Sequence, residues 1–168
     1  ALKDKWDEVG LGDVRSASNP AMVVQTASGT SSGNTITGTA HPVNWTTGIG
    51  WYLDLIGSGE RVNINPQLVL NALYVGTNVP NSNTCSVGGT AWLYKLDIAT
   101  GSALSTSPDS ALAVSLGNIL VMGMTNVQLS TKNVATVITR SDGTLDTEVG
   151  AQPNSKGPKR RTSWRVLN

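Results

Sequence analysis

Gly29-Thr30-Ser31-Ser32-Gly33 matches G-x-S-x-G, the pattern in which a serine on a sharp strand-to-helix turn becomes a nucleophile. That chemistry needs an imidazole to take the serine proton and a carboxylate to orient the imidazole. The one histidine is His41, and no Asp or Glu stands between Ser31 and His41. No helical periodicity follows Gly33, and the surrounding residues are low-complexity Ser, Thr and Gly. Ser31 therefore reads as a loop residue. His41 precedes Pro42, which favours an extended backbone, and no Cys, Asp or Glu stands at metal-ligand spacing from it, so it reads as a turn or surface histidine.

Gly57 and Gly59 begin like a dinucleotide motif, but Val62 occupies the third glycine position and no βαβ pattern surrounds it, which leaves a turn. Asp142, Gly143 and Asp146 resemble a fragment of a calcium loop without its D-x-D-x-D-G spacing or closing Glu, and hairpin geometry accounts for them. The eleven acidic residues are scattered, with no pair inside an apolar stretch to act as general acid and base. No residue is assigned as catalytic, cofactor-binding or metal-ligating, and the chain is read as non-enzymatic.

Lys156, Lys159, Arg160, Arg161 and Arg165 gather beside Trp164, an interleaving of basic and aromatic residues that can bind nucleic acid or an anionic surface. A formal net charge of +1 gives no wider support for such a partner, and a solvated tail leading into a terminal strand is the simpler meaning; no nucleic-acid partner is expected. One cysteine, Cys85, excludes an internal disulfide framework and a zinc cluster of cysteines from this chain alone. The start of the sequence, with Lys3, Asp4, Lys5, Asp7 and Glu8, resembles neither a signal peptide nor an apolar anchor.

The elements that must position these residues are strands. Two fifths of the 168 residues are Gly, Thr, Ser or Asn, whereas helix-forming residues on helical spacing are scarce. With 39% hydrophobic and 14% charged residues the chain can bury a core, and its aromatic content is five Trp, three Tyr and no Phe. Leu2, Trp6 and Val9 are spaced so that one or two helical turns would place them on one face; a frayed terminus with one anchoring Trp is the alternative reading. A strand is expected over 21–26, then a polar loop or hairpin tip over 27–40, so the first 40 residues form a separate N-terminal segment ahead of a β-rich region over 41–168.

Trp51, Leu53 and Leu55 alternate with Tyr52 and Asp54, and the turn at Gly57–Gly59 predicts a return strand over 60–64. A single strand covered on both faces is expected over 68–75, a loop containing Cys85 over 77–89, and a strand over 92–98. Apolar runs at 111–116 and 119–124 and alternation over 134–139 give three more. Asp142-Gly143 predicts a two-residue type I′ hairpin with a return from Leu145, and Trp164 with Val166 suggests a last strand.

Asp54, Asp97 and Asp142 lie 43 and 45 residues apart, each near the end of a strand and shortly before a glycine. A period of that size is the mark of propeller blades, so the fold is read as all-β, of antiparallel sheets, forming an arc of about three blades of a larger β-propeller. Asp54 and Asp97 are expected to accept backbone N–H bonds from the turns that follow them.

His41-Pro42-Val43-Asn44-Trp45-Thr46-Thr47, then Gly50-Trp51-Tyr52-Leu53-Asp54-Leu55 and Gly59-Glu60-Arg61-Val62, closely resemble the C-terminal region of bacterial type IV pilus biogenesis and tip-adhesin proteins, the PilC/PilY group. Asn81 to Cys85 with Gly88-Gly89-Thr90-Ala91-Trp92-Leu93-Tyr94, Leu96-Asp97 with Thr100-Gly101, and Arg160-Arg161-Thr162-Ser163-Trp164-Arg165 agree in order. The resemblance covers residue 41 to the C-terminus.

It implies an exported, multidomain protein of the pilus tip and outer membrane with a C-terminal quinoprotein-like propeller, which promotes pilus extension, counters retraction and mediates adhesion. Implied partners are the rest of the same propeller, minor pilins, and a host or abiotic surface. The family's calcium-binding loop and an Arg-Gly-Asp motif do not occur in this sequence, so no cofactor is carried over, and any calcium would belong elsewhere in a full-length protein. Cys85 is then either free or paired with a cysteine outside these residues. A β-rich carbohydrate- or protein-binding module that stacks sugars on exposed Trp is one alternative; a fragment of a quinoprotein dehydrogenase is another.

Overall fold

A computed structural model describes residues 15, 22–29, 33–69, 71–81, 88–104, 111–129 and 134–149. They form the strands β1 (Met22–Gln25), β2 (Ala27–Ser28), β3 (Thr35–Gly38), β4 (Gly50–Leu53), β5 (Gln67–Val69), β6 (Ala72–Pro80), β7 (Gly89–Asp97), β8 (Ala113–Gly117), β9 (Val121–Gln128), β10 (Val134–Arg140) and β11 (Leu145–Val149), with no helix among the described residues. The fold is all-β and mainly antiparallel.

The alternation in β7 explains the layering. Trp92, Tyr94 and Leu96 point to one side of the strand and Ala91, Leu93 and Lys95 to the other, and all six are buried. A strand buried on both sides must lie in a covered central sheet, and β7 sits inside the six-stranded order β2-β3-β8-β7-β6-β5. On the Trp92 side, Ile36, Leu112 and Ala113 pack with Trp51 of β4 and Val23 of β1, two strands that pair in parallel. On the Leu93 side, Ala72, Tyr74 and Leu116 pack with Val121, Met124 and Ile138 of a three-stranded sheet, β11-β10-β9. Each large side chain so buried contributes about 1.5–3 kcal/mol, and this two-sided burial holds the layers together.

Polar groups stitch the layers where apolar contact stops. The Asn78 amide of β6 imitates a strand neighbour for β9: its Nδ2 donates to the Val121 carbonyl at 2.9 Å and its Oδ1 accepts from the Val121 N–H at 2.8 Å. Lys95, on the Leu93 side, donates across the layers to Glu148 of β11 at 2.7 Å.

Several sequence expectations change. Residues 60–64 do not form a strand; only Arg61 pairs, exchanging backbone bonds of 2.9 Å with Asn78, because the side chains of Glu60 and Asn63 are committed to Gly57, Thr77 and Asn78. The apolar run over 68–75 is two strands, β5 and β6, joined tightly enough that Val69 pairs with Ala72. β6 and β7 then run on to pair Pro80 with Gly89, which shortens the loop expected over 77–89.

At Asp142-Gly143, Gly143 N donates to Arg140 O and Arg140 N donates to Thr144 O, each at 3.0 Å. Three residues, 141–143, are thus framed, with Gly143 at φ 83°, a type I turn with a glycine bulge rather than a two-residue I′ turn. The stretch 27–40 carries a hairpin, β2 with β3, and strand pairs β1–β4 and β3–β8 cross residue 40.

The strands that precede the three spaced aspartates, β4, β7 and β10, lie in three different sheets, of two, six and three strands. None of these sheets is a lone four-stranded blade. The expected segment around Leu2, Trp6 and Val9 and the last strand around Trp164 and Val166 lie outside the described residues.

Candidate functional site

Two of the segments that carry the family resemblance meet at one joint. Gln25, at the end of β1, is 1% exposed, so its amide must find partners inside the protein. Its Oε1 accepts from the His41 backbone N–H at 3.0 Å and from Thr39 Oγ1 at 2.9 Å. Its Nε2 donates to the carbonyls of His41 at 2.8 Å and Thr100 at 2.7 Å, which saturates the amide. His41 Nδ1 lies 2.9 Å from the Val24 carbonyl, and because a carbonyl can only accept, Nδ1 carries the proton. His41 is therefore a strut between β1 and the loop that follows β3.

The far side of the joint is the turn after β7. Asp97 Oδ1 accepts from the N–H groups of Ala99 at 2.8 Å and Thr100 at 3.2 Å, as expected for an Asx turn. Trp51 Nε1 donates to Ile98 O and Trp45 Nε1 to Ala99 O, each at 2.9 Å. Gly101 follows at φ 72°, where a Cβ would come within 2.4 Å of the Trp51 ring. His41, Trp45 and Trp51 from one motif thus clasp the Leu96-Asp97…Thr100-Gly101 motif from another. Asp97→Ala is expected to remove two turn bonds and lower stability by about 1 kcal/mol in urea unfolding.

Asp54 does otherwise than expected. Its carboxylate pairs with the Arg15 guanidinium, with one bond at 2.9 Å and a second, shorter one, while Arg15 also stacks over the Tyr52 ring at 5.3 Å. The turn after Asp54 is held instead by Glu60, whose Oε2 accepts from Gly57 N at 2.8 Å and whose Oε1 accepts from Thr77 Oγ1 at 2.5 Å. Asp142 serves its own turn: bonds from the Thr144 hydroxyl and backbone hold its carboxyl below the usual aspartate range. Asp146 pairs with Arg140.

Beside the joint, between the β1–β4 pair and the central sheet, lies a cavity of about 470 Å³. Met22, Trp51, Leu53, Leu73, Tyr94 and Leu96 contribute to an almost wholly apolar wall, with Tyr52 and Val62 also lining it. Tyr94 is buried; burial, then the negative charge of the nearby Glu60 and hydrogen bonding to it, push its pKa up, so it stays neutral at any physiological pH. The described lining carries no charged residue and fits an apolar occupant.

Asp97 plays the turn role its sequence context predicts, whereas the sequence marks His41 and Trp51 without showing what they do and gives no sign of the roles of Gln25, Glu60 and Lys95, polar residues whose partners lie on distant strands. Ser31, Cys85, Lys156, Lys159, Arg160, Arg161, Trp164 and Arg165 lie outside the described residues. Among the described residues no group of three or more His, Cys, Asp or Glu stands together as a metal site would require.

The clasped motifs are among those that suggest kinship. The chain is similar to part of a type IV pilus biogenesis factor. That protein, the PilY1 homolog of Xylella fastidiosa (strain Temecula1 / ATCC 700964), is 33% identical over 104 residues. The match takes in 58% of this chain and spans only 7% of the curated relative. No protein-family model matches the chain, and no solved structure matches it.

Proposed function

We propose that this chain is a non-catalytic structural segment of an exported type IV pilus biogenesis factor that works at the pilus tip and outer membrane, promoting pilus extension and surface attachment. The observation that carries the reading is the similarity to the PilY1 homolog, supported by the clasp, because two of the short motifs that resemble the pilus proteins interlock around Gln25 and Gly101. Its partners are then the rest of the parent protein, minor pilins and the surface being colonised.

The propeller reading belongs here as well. β5 to β8 form an up-and-down meander of four strands and β9 to β11 one of three, and successive meanders packed face to face are the building plan of propeller blades. β2 and β3 add to the edge of the first meander and β1–β4 is a parallel pair, so the proposed arc holds two blade-like units rather than three.

A sugar-stacking module is less favoured, because Trp51 and Trp92 are buried and Trp45 is half-buried with its N–H bound to Ala99 O. The deciding experiment deletes these 168 residues from the parent gene in the bacterium that encodes it and counts surface pili by electron microscopy. Loss of pili, restored by the intact gene, is the expected outcome; piliation at the parental level would overturn the proposal.

A further inference from the structure

The apolar cavity needs an occupant. Ten of the described residues line it, and none of those ten is charged. Open to water, such a wall forgoes roughly 25 cal/mol for every Å² left uncovered, which favours a resident apolar group.

Arg15 shows where one comes from. Its guanidinium stacks on Tyr52, a wall residue, and pairs with Asp54 immediately beyond Leu53, another wall residue. The chain then reaches Met22, which also lines the cavity. The polypeptide is therefore tied to this rim at Arg15, and the residues just ahead of that anchor carry Leu2, Trp6 and Val9 on the spacing of one helical face, a set to which nothing in the proposed pilus role assigns a purpose. Trp6 is nine residues ahead of Arg15, a span of about 14 Å if helical and about 30 Å if extended, enough in either form to reach the cavity from its rim. A cavity of about 150 Å³ accommodates one benzene ring, so 470 Å³ holds an indole with one or two aliphatic side chains beside it.

We infer that the cavity walled by Trp51, Tyr52, Leu53, Leu73 and Tyr94 is a docking site for this chain's own N-terminal segment, with Trp6 as the side chain that fills it and the Arg15–Asp54 pair as its tether. The segment is then a plug, and any outside apolar ligand would have to displace it. This inference stands independently of the pilus role.

The test uses the whole 168-residue chain in a Cys85→Ser background, labelled with 5-fluorotryptophan, with the Trp6 fluorine line assigned from Trp6→Phe. A nitroxide is attached at Val62→Cys, on the cavity wall and 46% exposed, or as a control at Leu145→Cys, 69% exposed on the sheet covering the opposite face of the central one. The Trp6 line is expected to lose at least about fivefold of its intensity with the first label, to recover on reduction of the nitroxide, and to keep its intensity with the second. In parallel, the apolar dye 1-anilinonaphthalene-8-sulfonate should bind Trp6→Ala several-fold more strongly than the unmutated chain, and Leu73→Trp, which narrows the cavity, should abolish the gain. Equal Trp6 intensity with both labels, or equal dye binding by the two chains, would overturn the inference and leave the cavity as a site for an external ligand.

Discussion

Gly101→Ala is expected to cost about 2–4 kcal/mol in urea unfolding, whereas Gly59→Ala should cost about 1 kcal/mol. Both glycines have a left-handed backbone, at φ 72° and φ 73°, so each loses about 1 kcal/mol when a Cβ is added. They differ in what the Cβ meets. At Gly59 nothing lies within 4 Å, while at Gly101 three atoms of the Trp51 indole lie between 2.4 and 2.8 Å. The indole is held in place: although it also lines the apolar cavity, it is 5% exposed, packed in the core beside Tyr94 and Leu96, and pinned through Nε1 to the Ile98 carbonyl. Overpacking a site of this kind typically adds 1–3 kcal/mol to the conformational cost. Equal losses at the two glycines would show that the clasp yields freely and is no joint at all.

The same clasp shows how far the sequence could be read. Local chemistry was legible: Asp97 before Ala99 and Thr100 announces an Asx turn, and alternation over Trp92, Tyr94 and Leu96 announces a strand, because each depends on neighbours a few residues away. What was not legible is pairing at a distance. Trp51 meets a turn 47 residues on, and Gln25 meets one 75 residues on, so nothing in a short window distinguishes Gln25 from any other polar residue beside a turn. Asp54 looked like Asp97 because both end a strand before a glycine, yet Arg15 was available to Asp54 and Glu60 took over the turn. The cavity was invisible for the same reason, since its wall draws on β1, β4, β6 and β7 together.

Lys95 is the sharpest instance, and it carries the second large prediction. In sequence it falls on the side of β7 opposite Trp92, between Leu93 and Asp97, and nothing there marks it as buried. In the fold that side is covered by β9–β11, and the Lys95 side chain is 4% exposed while its partner Glu148 remains 35% exposed. The two ends of the pair are therefore not equivalent. Removing the carboxylate leaves an ammonium shut between two sheets with no countercharge, whereas removing the ammonium leaves a carboxylate that water can still reach. Breaking a buried pair from its solvated end costs about 3 kcal/mol, and replacing the buried cation by an apolar side chain of similar length is close to neutral. Glu148→Ala should thus lower unfolding stability by about 3 kcal/mol, while Lys95→Met, alone or with Glu148→Leu, should stay within about 1 kcal/mol of the unmutated chain. The loss in Glu148→Ala should change little between low and high salt, because one partner is out of reach of counterions. If Lys95→Met were the costlier change, the charge would be stabilising the interface by more than its partner requires, and the three-stranded sheet would be held to the central one by electrostatics and not by the apolar contacts of Val121, Met124 and Ile138.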